Sequence, residues 1–187
     1  MKTPMPPFEI ENLNSLKQFE GREFPATDWF VITQDRIQKF ADVTEDRQWI
    51  HVNAERAQSE SPFGGNVAHG FLTLSLLSYF LKQAIHIRSG IAMSVNYGLN
   101  KVRFPSPVLA GSAVRARVTL LSAKLMEKES GEFVKKESDE FMKKESRGFT
   151  KKESRGFVDA VFLIHVASES AEKPCCVAEW LVRYYPL

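Results

Sequence analysis

Two residue types with chemistry to offer stand close together in FADVTEDRQWIHVN, residues 40–53, where the carboxylate of Asp46 precedes the imidazole of His51 by five positions. An acid and a histidine that grip one water can activate it and move its proton, because imidazole titrates near neutrality. The spacing alone does not unite them. Five residues turn a helix by roughly 140° and end on the opposite face of a strand, so the side chains meet only if the backbone bends between them. From these two residues alone the plainer account is favoured: an acid that ends a helix and a half-buried histidine. Downstream, VAHG (67–70) sets Gly70 at the head of a long apolar run. If that run is helical, its first N–H groups and its positive dipole end can receive an oxyanion or a polarised carbonyl. Glycine there would let an acyl group approach the backbone closely.

Other chemistry is sparse. The sequence contains no GxGxxG, no GxxxxGK(S/T), no GxSxG and no HExxH, so nucleotide loops, the hydrolase elbow and zincin sites find no support. The four histidines (His51, His69, His86, His165) and the adjacent Cys175 and Cys176 have no metal-ligand spacing, and neither a metal nor another cofactor is expected. His86 is read into the last turn of a helix and His165 into a strand, both structural.

The elements that must position these residues follow from periodicity. Thr33 is placed to cap a helix that runs to about Val43, with Ile32 stapled onto Ile37. Gly70 to about Ile87 is apolar nearly all round, with its first charge at Lys82, which predicts one long helix buried on most faces. The wrapping comes from stretches near 91–104, 112–125, 157–167 and 175–185, rich in Val, Phe, Leu and Tyr and separated by Pro105, Pro107, Gly111 and Pro174. The expected fold is α+β, an antiparallel sheet curled around the helix.

Length and charge bound the function. The 187 residues, 43% hydrophobic, suit a single domain over 1–187 with a buried core. A net charge of +2 gives no field for gathering nucleic acid. The longest apolar stretch, Phe71–Leu81, has 11 residues against the ~20 that a bilayer needs, so no membrane span is expected. The start lacks an apolar signal segment, and two adjacent cysteines suit a reducing cytoplasm. Residues 126–157 are four tandem octapeptides: MEKESGEF, VKKESDEF, MKKESRGF and TKKESRGF. Of these 32 positions 17 are charged, which marks an insertion solvated by its own side chains rather than a solenoid. An even period keeps Phe133, Phe141, Phe149 and Phe157 on one face of a strand, so a projecting hairpin suits it better than a helix, with a disordered loop the other alternative.

FADVTEDRQWIHVN, PFGGNVAHGFLTLSLLS and NYGLNKVRFPSPVLAGSAVRARV together resemble the MaoC-like dehydratases, the hotdog-fold family of the (R)-specific enoyl-CoA hydratases, and especially its nodulation protein N-like branch. The likeness covers about residues 27–125 and resumes over 157–185. It implies that Asp46 and His51 are the catalytic pair, that the Gly70 amide receives the thioester carbonyl, and that Ser78, nine residues beyond His69, helps to position His51 or the water. The implied fold is a long helix wrapped by a curved sheet, paired into homodimers, with an acyl-CoA tunnel at the junction. Lys101, Arg103, Arg115 or Arg117 would meet the CoA phosphates, although an exposed strand charge is the better account of each. Trp49 would close the acyl pocket or, more simply, pack on the core. Two positions depart from the family pattern: Gln48-Trp49 replaces an Asn-Pro step, and Asn53 replaces an Asp. The rival activities are a thioesterase on the same fold and a non-catalytic acyl-thioester-binding subunit.

Overall fold

Strands with alternating burial dominate the chain. The computed structural model describes residues 5–126 and 156–187. In chain order come β1 (Phe8–Ile10), a 3-10 helix (Leu13–Phe19) and β2 (Phe30–Val31), followed by five short helices: α1 (Gln34–Thr44), α2 (Trp49–Val52), α3 (Ala54–Glu60), α4 (Gly70–Ser75) and α5 (Leu77–Ala84). Then β3 (Ile85–Ile87) leads to the long strands β4 (Ile91–Arg103), β5 (Ala113–Met126), β6 (Phe157–Ser168) and β7 (Cys176–Pro186). The sheet order is β2-β5-β6-β7-β4, antiparallel throughout, while β1 pairs in parallel with β3. The four predicted strands therefore form where the alternation placed them, to within a residue or so.

Period-two burial explains how the sheet holds its helices. Along β6 the inward residues are Val158, Ala160, Phe162, Ile164 and Val166, and along β7 they are Cys176, Ala178, Trp180, Val182 and Tyr184. These close on Leu77, Phe80, Leu81 and Ala84 of α5 within one core cluster. Each fully buried phenyl or branched side chain, such as Phe80 or Phe162, contributes about 1.5–3 kcal/mol relative to exposure. On the other face Arg183 makes a paired 2.7 and 2.8 Å contact to Asp159, with its guanidinium over the rings of Tyr97 and Phe157. Cys175 and Cys176 are free and buried, and desolvation pushes their thiols up to about 12 and about 11, so they act as small core residues.

The long helix requires correction. It is two helices, α4 and α5, joined at Leu76, where the Leu76 N–H reaches back to Thr73 in a tighter turn and the Ser75 hydroxyl donates to the Leu72 carbonyl at 2.7 Å. Side-chain competition for the backbone carbonyls accompanies the break. The helix pair is not buried all round either: Phe71 is 68% exposed, and Tyr79 is exposed as well. It ends at Ala84, so His86 lies in β3 instead of a final helical turn, and its ring meets Glu9 of the adjoining strand at 3.1 Å. His165 lies within β6, as expected.

The octapeptides fall almost wholly on residues 127–155, outside the described residues, and so does the hairpin expected of them. Their attachment is described: β5 and β6 are antiparallel neighbours whose register ends at Met126 opposite Phe157. Among the described residues no helix is long and apolar enough to cross a membrane.

Candidate active site

The bend that Asp46 and His51 need is built by the end of α1. Thr33 caps that helix by accepting from the Arg36 N–H, and both Ile32 and Ile37 are fully buried, which fixes its entry. At the far end Glu45 takes a left-handed conformation, φ 59°, and reverses the chain directly before Asp46. The chain then winds into the single turn α2, which carries His51. Gln34, first residue of α1, donates to the His51 carbonyl at 2.9 Å and accepts from Asn66 at 2.9 Å, tying α1, α2 and the 61–69 loop together.

One ring nitrogen each from His51 and His69 and one carboxylate oxygen of Asp46 lie within 4.8 Å of one another. That separation suits a single water hydrogen-bonded to two of them. Both rings are buried, whereas the Asp46 side chain is 57% exposed, so the acid stands at the mouth and the imidazoles behind it. His51 Nδ1 lies 2.6 Å from the Val67 carbonyl oxygen. A carbonyl only accepts, so Nδ1 carries the hydrogen and Nε2 of the neutral ring keeps its lone pair. Burial lowers the His51 pKa below the ordinary 6.5, and neighbouring His69 adds to this, against the opposing Val67 carbonyl and Asp46 carboxylate. A ring held neutral with a free Nε2 is a base ready to accept a proton.

His69 is the residue that spacing did not single out. Its ring stacks on His51 with centroids 3.6 Å apart and planes 24° apart, and Phe40 packs against it at 5.1 Å. Its Nε2 lies 2.9 Å from the Asp46 backbone carbonyl and 3.9 Å from Asp46 Oδ2. The only sequence signal was its place in VAHG, immediately before a helix. Two imidazoles and a carboxylate at this spacing are also a set that a divalent transition metal could bridge, which separations of five and 18 residues along the chain concealed.

Gly70 is the first residue of α4, directly after His69. The expectation that glycine leaves this backbone open to an acyl group is corrected in one respect: a Cβ on Gly70 would lie 3.0 Å from the Phe104 ring. The phenyl ring of Phe104 thus occupies the side that glycine leaves free. Ser78 lies in α5, eight residues along and ~12 Å by helical rise. It lines an apolar groove of about 460 Å³ whose wall includes Phe40, Phe71, Leu74, Leu99 and Trp180. A second groove, about 580 Å³, continues past Ser78, Asn96 and Trp180 toward Ile85 and Tyr184. Phe40 belongs both to the first groove and to the packing around His69, so the groove starts beside the polar cluster.

The predicted phosphate contacts are not gathered. Lys101 and Arg103 are on β4, whereas Arg115 and Arg117 are on β5, with β6 and β7 between, Arg115 over the Trp29 ring and Arg117 beside Glu23. Trp49 packs under the half-exposed Arg56 guanidinium at 4.4 Å, a surface contact rather than the core packing expected of it.

Residues 16–141 match the family model described as the MaoC like domain. The chain belongs to the MaoC-like dehydratase family. It is similar to 3-hydroxyacyl-thioester dehydratase Z of Mycobacterium tuberculosis (strain ATCC 25618 / H37Rv), 38% identical over 175 residues, which covers 94% of this chain and 97% of that protein. It is also similar to nodulation protein N of Rhizobium leguminosarum bv. viciae, 51% identical over 100 residues, covering 54% of this chain and 62% of that one. Among solved structures, the (R)-hydratase from A. caviae involved in PHA biosynthesis superimposes with a TM-score of 0.56 at 17% identity, over 87% of this chain and 94% of that one. That likeness shows the shared hotdog fold. The chain's relatives thus include proteins named hydratase and dehydratase, which are hydro-lyases.

Proposed function

We propose that this MaoC-like protein is an (R)-specific enoyl-CoA hydratase and 3-hydroxyacyl-CoA dehydratase, adding water to trans-2-enoyl thioesters and removing it in the reverse direction. The observation that carries this reading is the approach of Asp46 and His51, within 4.8 Å, beside an apolar groove. Hydration needs a water made nucleophilic, a proton delivered to the α-carbon, and stabilisation of the enolate oxygen that develops between those events. His51 Nε2 takes a proton from the water as its oxygen attacks C3. Asp46, at the mouth, orients that water, and the proton returns through the pair to C2, so the elements of water are added and nothing else is consumed. The Gly70 amide receives the thioester oxygen, a donor worth ~3 kcal/mol in related chemistry. Ser78 acts from the groove wall, where the acyl chain lies, by helping to hold the water or His51.

A homodimer belongs to this reading. β4 is an edge of the sheet and is exposed along most of its length, with Met93, Val95, Tyr97 and Leu99 each at least 37% accessible. An apolar open edge pairs readily with a copy of itself, and β4 also contributes Asn96, Gly98 and Leu99 to the groove. A second chain there would turn the groove into a tunnel. Two buried free thiols suit a cytoplasmic location.

Incubation with crotonyl-CoA and with a saturated acyl-CoA tests the activity. Loss of the conjugated thioester absorbance without thiol release is expected. Thiol release from the saturated ester would make the protein a thioesterase, and stabilisation by CoA esters without turnover would make it a binding subunit.

A further inference from the structure

The hydratase reading uses Asp46 and His51 and leaves a further ionisable group, buried beside them, without a task. His69 is 4% exposed, and its Nδ1 is a buried polar atom without a hydrogen-bond partner. A ring chosen only to fill the core would not bring such an atom with it. Its side-chain hydrogen bond and its closest ring contact both lead to the proposed pair. Nε2 faces the Asp46 carbonyl at 2.9 Å, and since a carbonyl only accepts, that nitrogen carries the hydrogen. The face of the ring lies against His51 at 3.6 Å, and Phe40 backs it at 5.1 Å. In sequence His69 also immediately precedes Gly70.

We infer that His69 is a positioning residue of this site: its Nε2–H holds the backbone at Asp46, and its ring sets the plane of His51, so that acid and base face the same water. Three groups of the proposed machinery then hang on one buried ring, with Asp46 held through its carbonyl, His51 through stacking and Gly70 through the chain. This inference rests on the hydratase reading for its effect on rate, but the placement of the hydrogen on Nε2 does not.

Three substitutions separate the contacts. The amide nitrogen of Gln lies where His Nε2 lies, that of Asn falls short of it, and Phe keeps the stack without a donor. His69→Gln, which keeps the donor but loses the stack, should lower kcat for crotonyl-CoA hydration by only ~5- to 10-fold. His69→Asn and His69→Phe should each lower kcat by ~30- to 100-fold, as a misplacement of about 1 Å does, with KM changed by no more than ~3-fold and a cooperative melt retained. Wild-type kcat in both the Asn and Phe variants, or equal losses in all three, would overturn the inference. The ¹⁵N resonances of the His69 ring give a reading without turnover: Nε2 protonated and Nδ1 bare is expected, and the opposite tautomer overturns the inference whatever the activity. Inactive wild-type protein with the expected tautomer would instead refute the hydratase reading.

Discussion

His51 Nδ1 stands 2.6 Å from the carbonyl oxygen of Val67. That contact joins the one-turn helix α2 to the segment leading into α4, and it decides which nitrogen of the ring is free. With the hydrogen on Nδ1, the lone pair sits on Nε2. The rest of the proposed chemistry follows from where that lone pair points and how readily it takes a proton.

The first prediction concerns pH. Burial lowers the His51 pKa below 6.5 in the folded chain, so the ring stays neutral to lower pH than a free imidazole. The acid limb of kcat/KM should therefore have its midpoint below about 6.5. In stability the sign is equally defined. Between the folded and unfolded pKa values the unfolded chain binds more protons, so stability rises with pH through that window and is lost as pH falls from about 6.5 toward the folded value. His51→Gln should flatten this part of the curve of melting temperature against pH, and an unchanged slope would contradict the assigned shift.

Gly70 and Phe104 make a second test. An alanine methyl at position 70 would meet the phenyl ring at 3.0 Å, and because the contact includes ring atoms nearest the backbone, ring or helix must shift. Gly70→Ala should lower kcat by ~10- to 100-fold if the amide is an oxyanion donor. Adding Phe104→Leu should recover part of that loss, so that the double variant outperforms Gly70→Ala alone. Additive losses would separate the two residues.

The β4 edge gives the third. Met93 and Val95 lie opposite Tyr185 and Arg183 of β7, and the two residues are 47% and 37% exposed. Lysines at both positions would put like charges along the strand that the proposed homodimer pairs with its own copy. Sedimentation should give two chains for the wild type and one for Met93→Lys/Val95→Lys, with reduced hydration by the monomer. A monomeric wild type would contradict the homodimer.

The sheet was legible in the sequence because β6 and β7 alternate without interruption, so Val158 to Val166 and Cys176 to Tyr184 announce both the strands and their buried faces. The cap at Thr33 was legible for a similar reason, since cap and staple are local patterns. The split at Leu76 was not, because a run of leucines conceals the pull of the Ser75 hydroxyl on the Leu72 carbonyl. Nor could the spacing of Asp46 and His51 reveal their approach. It depends on the left-handed Glu45 and on Gln34 and Asn66, 32 residues apart in the chain. His69 was visible only as the residue before Gly70, for the same reason: stacking on a ring 18 positions away leaves no local pattern.

If Asp46 and His51 act on one water, the rate of crotonyl-CoA hydration by the Asp46→Asn and His51→Gln proteins shows it. Each should be slower than wild type by at least ~100-fold, as befits lost acid–base assistance, while melting remains cooperative. Wild-type rates in either variant would contradict the mechanism.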